Sequence, residues 1–187
     1  MKNLKPKTKT KTKKQLEAIA KNIKLLVLDV DGVLTDGSII LDNEGNEFKS
    51  FHVRDGHGIK MLNKAGIQTA LITGRHSKIV ERRAHELGIT EVYQKCYVKT
   101  FAYEQILEKL GFADKEVAYI GDDIVDLSLL RRVALPVVVA DAVDEAKAEA
   151  LMVTKNRGGR GAVREVCDLI LKSCGKWQGL VDEYNKI

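Results

Sequence analysis

Four stretches of the chain combine residue types and spacings that could do chemistry: Asp29-Val30-Asp31-Gly32, Thr73-Gly74-Arg75, Lys99, and Gly121-Asp122-Asp123 with Asp126 shortly after. The two-residue step from Asp29 to Asp31 lets one side chain and one backbone carbonyl face the same point. With the Asp122 carboxylate they make an oxygen-rich site suited to Mg²⁺, a hard cation that keeps several waters. A carboxylate attacks a phosphate dianion poorly unless the phosphate charge is neutralised. The cation, the Lys99 ammonium and the Thr73 hydroxyl would neutralise it. Asp29 could then form an aspartyl-phosphate, which splits a hydrolysis into two easier steps. Asp31 would protonate the leaving alcohol and later take a proton from water.

These residues need a scaffold that brings distant segments together. The apolar run at 23–30 reads as a strand buried on both faces, and 67–73, 91–94, 117–121 and 135–140 read as further strands. Between them lie helical patterns: one with Ile59 and Leu62, one with Val80, Ala84 and Leu87, and one with Phe101, Ile106, Leu107 and Leu110. A last helix carries the stripe Val163, Val166, Cys167, Ile170 and Leu171. This alternation predicts an α/β fold, a doubly wound and mostly parallel sheet with helices on both faces. Each chemical stretch follows or flanks a strand end, where open parallel sheets bind ligands. Segments 38–42 and 47–53 break the alternation and read as a β-hairpin after the first strand.

The charge is unevenly placed. Overall it is +5, but residues 1–24 hold nine lysines against one acid, Glu17, for +8. The other 163 residues hold 22 basic and 25 acidic side chains, for −3. Residues 1–22, with the run KPKTKTKTKK, are expected to be a disordered Lys-rich arm. The arm has no aromatic residue for base stacking, which argues against nucleic acid as a partner; such a role would predict salt-sensitive binding that is lost on truncation. No apolar run approaches the ~20 residues of a membrane span. Cys96, Cys167 and Cys174 have neither disulfide nor zinc spacing, which fits a reducing, cytoplasmic setting. The folded domain is expected over 23–174, with a docked C-terminal tail over 175–187 that contains Trp177, Leu180 and Val181.

Taken together, DVDGVLTDG, ITGR, Lys99 and GDDIVD resemble the four motifs of the haloacid-dehalogenase-like phosphohydrolase superfamily. The resemblance implies Asp29 as nucleophile, Asp31 as acid/base, and Thr73 and Lys99 as phosphate-neutralising partners. It implies Mg²⁺ held by the Asp29 carboxylate, the Asp31 carbonyl and the Asp122 carboxylate, with Asp123 and Asp126 orienting the site. Response-regulator receivers share an acidic pair, a threonine and a lysine, but there the pair ends the first strand and a separate phosphoacceptor aspartate lies mid-chain. Here no aspartate ends a strand of the parallel alternation between Asp31 and Thr73.

In the superfamily, substrate-covering caps are inserted after the first or second motif. Here 41 residues separate Asp31 from Thr73 and 25 separate Thr73 from Lys99, which leaves no room for a cap domain. The stretches FHVRDGHGIK and NRGGRGAVREVCDLIL add a closer resemblance, to the 3-deoxy-D-manno-octulosonate 8-phosphate phosphatases of lipopolysaccharide synthesis. That group implies a homotetramer whose neighbouring subunits cover the site, with the hairpin in the tetramer packing and Gly158–Gly161 reaching toward a neighbour. It implies substrate contacts at Asp31, His52, Val53, Arg54, Asp55, Gly56, Lys60, Arg75, Arg83, Lys99 and Arg160. The competing readings are a nine-carbon sugar acid as substrate, a macromolecular phosphoester, and a non-catalytic assembly domain. Retention of both Asp29 and Asp31 argues against the last.

Overall fold

The computed structural model describes residues 12–186. A six-stranded, all-parallel sheet forms the centre: β1 (Leu25–Leu28), β4 (Gln68–Ile72), β5 (Glu91–Tyr93), β6 (Val117–Gly121), β7 (Leu135–Val138) and β8 (Met152–Val153). Two further strands, β2 (Ile40–Leu41) and β3 (Glu47–Phe48), pair antiparallel as a separate ribbon. The central order is β5-β4-β1-β6-β7-β8, so the chain winds outward from β1 in one direction and then, from β6, in the other. The tips of β1 and β6 flank the point of reversal, where such sheets open a crevice. All four residues of β1 are buried, as its continuous apolar sequence requires.

The helices are α1 (Lys13–Ala20), α2 (Val53–Lys64), α3 (Lys78–Leu87), α4 (Lys99–Leu110), α5 (Leu127–Leu130), α6 (Asp144–Glu149), α7 (Ala162–Ser173) and α8 (Trp177–Tyr184). Helix α7 buries its predicted stripe and packs against α1, α2 and α8, while α4 packs against α5. Between β1 and β4 lie the ribbon and α2, and between β4 and β5 lies α3. Among the described residues there is no separate cap domain.

The structure departs from the sequence reading in several places. The N-terminal arm, expected to be disordered to residue 22, is helical from Lys13. Thr12 and Gln15 form a reciprocal capping box, and Leu16, Ile19 and Ala20 pack onto the core, an apolar stripe hidden among the lysines. The rest of the arm, residues 1–11, lies outside the described residues. The ribbon is shorter than 38–42 with 47–53: only two residues pair on each side, and Val53, expected in the strand, opens α2. Phe101 was expected in the apolar face of its helix, yet is 66% exposed. The buried face of α4 is Lys99, Ala102, Tyr103 and the expected Ile106, with Leu107 and Leu110 partly buried against the core. Helix α6 and strand β8 were not anticipated; β8 is only two residues long and carries no periodicity.

Candidate active site

Asp29 leaves the tip of β1 with its amide donating to the Ile120 carbonyl of β6 at 3.0 Å. The chain then turns tightly, with the Leu34 and Thr35 amides both donating to the Val30 carbonyl. Gly32 is required in this turn: its φ is +87°, and a Cβ there would sit 2.1 Å from an Asp122 carboxylate oxygen. The glycine thus lets the loop after β1 lie directly against the loop after β6.

Lys99, the first residue of α4, is almost wholly buried. Its ammonium lies 2.9 Å from Asp29 Oδ1 and 2.6 Å from Asp126 Oδ1 and donates to the Tyr119 hydroxyl at 3.2 Å. Asp126 is fully buried and saturated: it also accepts from the Tyr119 hydroxyl at 2.5 Å and from the Asp122 and Asp123 amides at 2.8 and 3.2 Å. A charge without water needs such partners. Asp123 accepts from the Ile124 amide at 2.6 Å and so shapes the same turn. Thr73 is buried, and its hydroxyl accepts from the Arg75 amide at 3.4 Å.

A pocket of about 240 Å³ opens here, lined by Asp29, Asp31, Thr73, Gly74, Arg75, Lys99, Asp122 and Asp123 together with Cys96, Tyr97 and Val125. Asp29, Asp122 and Asp126 each place one carboxylate oxygen within 4.8 Å of the others. Burial raises Asp29 to about 6, opposed by the Lys99 charge. Burial, then the charges of Asp29 and Asp126, raise Asp122 to about 8. Burial works against the Lys99 ammonium too, but Asp29 and Asp126 outweigh it and hold its pKa above the usual value. Three carboxylates face one ammonium, and this excess of negative charge on hard oxygen donors fits a divalent cation. Since Asp126 already has four donors, Asp29 and Asp122 are the carboxylates with room for a metal.

The substrate residues implied by resemblance are more scattered. Val53 and Arg83 line a neighbouring pocket of about 460 Å³ with Lys49, Phe51, Ile79, Arg82 and Glu86. Gly56 packs on Arg83, where a Cβ would meet Nη2 at 2.3 Å. Asp55 lines neither pocket. It is buried and accepts from the Gly161 amide at 3.1 Å and the Arg164 amide at 2.7 Å, which fixes the start of α7. His52 Nδ1 is buried 3.8 Å from Asp55, with no hydrogen-bond partner among the described residues. Arg54 and Lys60 are exposed on α2. Arg160, expected to reach toward a neighbour, pairs with Asp36 of its own chain at 3.2 Å. The reason is close packing: a Cβ on Gly158 would sit 1.7 Å from the Gly32 carbonyl oxygen, and the Gly159 amide donates to Val33.

Sequence reasoning missed Lys49, whose ammonium lies 2.5 Å from Asp31 Oδ1, and Tyr119, which joins Lys99 to Asp126. The signal for Lys49 was the alternation Glu47-Phe48-Lys49, which turns its flanking charges to the face opposite Phe48.

Comparison with known proteins first gives the class: residues 53–133 match the haloacid dehalogenase-like hydrolases. The chain is 52% identical over 159 residues, 85% of each sequence, to the 3-deoxy-D-manno-octulosonate 8-phosphate phosphatase KdsC of Escherichia coli K12. It therefore belongs to the 3-deoxy-D-manno-octulosonate 8-phosphate phosphatase family. The crystal structure of the Yersinia pestis phosphatase superposes with a TM-score of 0.87 at 49% identity, covering 88% of this chain and 89% of that one. The Moraxella catarrhalis phosphatase, in complex with magnesium, phosphate and KDO, gives 0.89 at 42% identity, covering 91% and 98%.

Proposed function

We propose that this protein is a Mg²⁺-dependent phosphatase that hydrolyses 3-deoxy-D-manno-octulosonate 8-phosphate to the free sugar acid and inorganic phosphate, a step in lipopolysaccharide precursor synthesis. The observation that carries the reading is the convergence of Asp29, Asp31, Thr73, Lys99 and Asp122 on one pocket at the reversal of the sheet. The magnesium, phosphate and KDO bound to the Moraxella relative support both the cation and the sugar acid.

Asp29, held by Lys99, attacks phosphorus while Asp31 gives its proton to the departing sugar oxygen. The P–O bond to the sugar breaks as the aspartyl-phosphate forms. Asp31, now a carboxylate, takes a proton from the water that attacks this phosphorus, and phosphate leaves with Asp29 restored. Mg²⁺, held by the Asp29 and Asp122 carboxylates and the Asp31 carbonyl, supplies charge neutralisation on the phosphate oxygens. Thr73 and Lys99 donate to the same oxygens, Asp123 and Asp126 keep Asp122 and Lys99 in place, and Arg75 and Arg83 suit the sugar carboxylate.

A homotetramer completes the reading. Ile40 and Leu41 on β2 and Phe48 on β3 are exposed, an apolar surface on a ribbon too short to be stable alone. Burying it between subunits would also cover an otherwise open pocket. Three free cysteines, and the absence among the described residues of any helix long and apolar enough to cross a membrane, are in keeping with a cytoplasmic setting.

The test is phosphate release from a panel of phosphorylated sugar acids with Mg²⁺, with wild type beside Asp29→Asn. Release from the eight-carbon acid, lost in the variant, is expected. Release confined to a nine-carbon acid would change the substrate, and no release from a folded tetramer would favour an assembly role.

A further inference from the structure

The reaction just described leaves one charged group beside the site without a task. The Lys49 side chain is 2% exposed, although its neighbour Phe48 is 53% exposed. Its ammonium sits 2.5 Å from Asp31 Oδ1 and 3.3 Å from Glu47 Oε1. Arg75 closes the group, with Nη2 at 3.5 Å from Glu47 and Nε at 3.8 Å from Asp31 Oδ2. Lysine is rarely buried, and holding one here costs desolvation that only well-placed carboxylates offset.

The placement decides between two roles. Lys49 does not line the pocket that holds Asp29, Thr73 and Lys99; it lines the neighbouring one, and Asp31 stands between. A phosphate ligand would have to reach past Asp31, and a sugar carboxylate beside Arg83 in that pocket would meet an ammonium already paired with Asp31 and Glu47 and 2% exposed. A group that holds Asp31 would sit where Lys49 sits. Asp31 needs holding, because it lies on a turn and must aim one oxygen at the leaving group and then at water. We propose that Lys49 is a positioning residue for Asp31, so that the ribbon is part of the catalytic apparatus as well as an interface. This rests on the acid/base role given to Asp31 above.

The test is a double-mutant cycle of Lys49→Met and Asp31→Asn in the full-length protein with Mg²⁺, with Lys49→Gln as a second neutral variant and Lys49→Arg keeping the charge. Two substrates are compared: the sugar-acid 8-phosphate, whose alkoxide needs a proton to leave, and p-nitrophenyl phosphate, whose phenolate does not. Neutral variants are expected to lower kcat on the aliphatic ester by about tenfold or more, with KM within about twofold. The single-turnover burst of p-nitrophenol should change by less than about threefold, and Lys49→Arg should recover part of the loss. With Asp31→Asn already present, removing Lys49 should cost less than about twofold more. Equal losses on both substrates, full additivity in the cycle, or a rise in KM at constant kcat would each overturn the proposal. Wild-type turnover of another aliphatic phosphate but not the sugar acid would overturn the substrate reading and leave the aliphatic-to-aryl comparison to judge Lys49.

Discussion

Asp29 and Asp31 lie two residues apart, and each is met by a lysine, but the two lysines are anchored differently. Lys99 begins a twelve-residue helix packed on the sheet, and its ammonium is shared with Asp126 and Tyr119 in the core. Lys49 follows a two-residue strand whose own outer surface is bare. Asp29, the proposed nucleophile, is therefore held from the packed core, while Asp31, its proposed acid/base partner, is held from a ribbon with few contacts of its own. A single motif can thus join a half held by the core and a half held by a short exposed ribbon.

The largest effect is expected from Lys99→Met. It would leave Asp29 and Asp126 buried without a counter-charge, so chemical denaturation should show a loss of about 3–5 kcal/mol beside near-complete loss of turnover. Asp126→Asn should come next. Its amide can accept on one side only, so either the Lys99 and Tyr119 bonds or those from the Asp122 and Asp123 amides are lost with the charge; stability should fall by about 1–3 kcal/mol and activity with it. On the other half, Leu41→Ser with Phe48→Ser should leave protomer unfolding nearly unchanged. Sedimentation should show a lighter species, and kcat on the sugar phosphate should drop while the p-nitrophenol burst persists. A loss of protomer stability as large as that of Asp126→Asn would erase the contrast between the halves.

The last test is a pH slope. The raised Asp122, at about 8, and Asp29, at about 6, stay protonated in the folded state where the unfolded chain has already released its protons. Metal-free protein should therefore lose stability as pH rises from about 4 toward 8. Saturating Mg²⁺ should flatten that slope, because the cation favours the carboxylates. Melting curves with and without chelator at several pH values would show it; identical slopes would argue against a metal between Asp29 and Asp122.

The central sheet and the charged strand ends were legible because continuous apolar runs and isolated acids are local signals. Asp29, Thr73, Lys99 and Asp122 could be read in that way. Asp55 and Arg160 could not: their neighbours in sequence suggested a ligand, whereas the partners that occupy them, Gly161, Arg164 and Asp36, lie over a hundred residues away. Helix α1 was hidden for a different reason, since the lysine count outweighed the Leu16, Ile19 and Ala20 stripe. The ribbon's shortness was illegible because alternation marks a strand's faces and says little about where pairing stops.

The packing of Gly158 and Gly159 against the turn that follows Asp29 has a consequence in time. The Asp36–Arg160 pair spans 124 residues, so the loop after β1 is braced by a segment near the far end of the chain. Contacts of such separation are slow to close, because the intervening chain must first be ordered. During synthesis the sheet could assemble strand by strand. The turn carrying Asp31 and Gly32 would gain its support only after residue 161 had been made. A growing chain would then finish its sheet, whose last strand ends at Val153, before the turn beside Asp29 was braced.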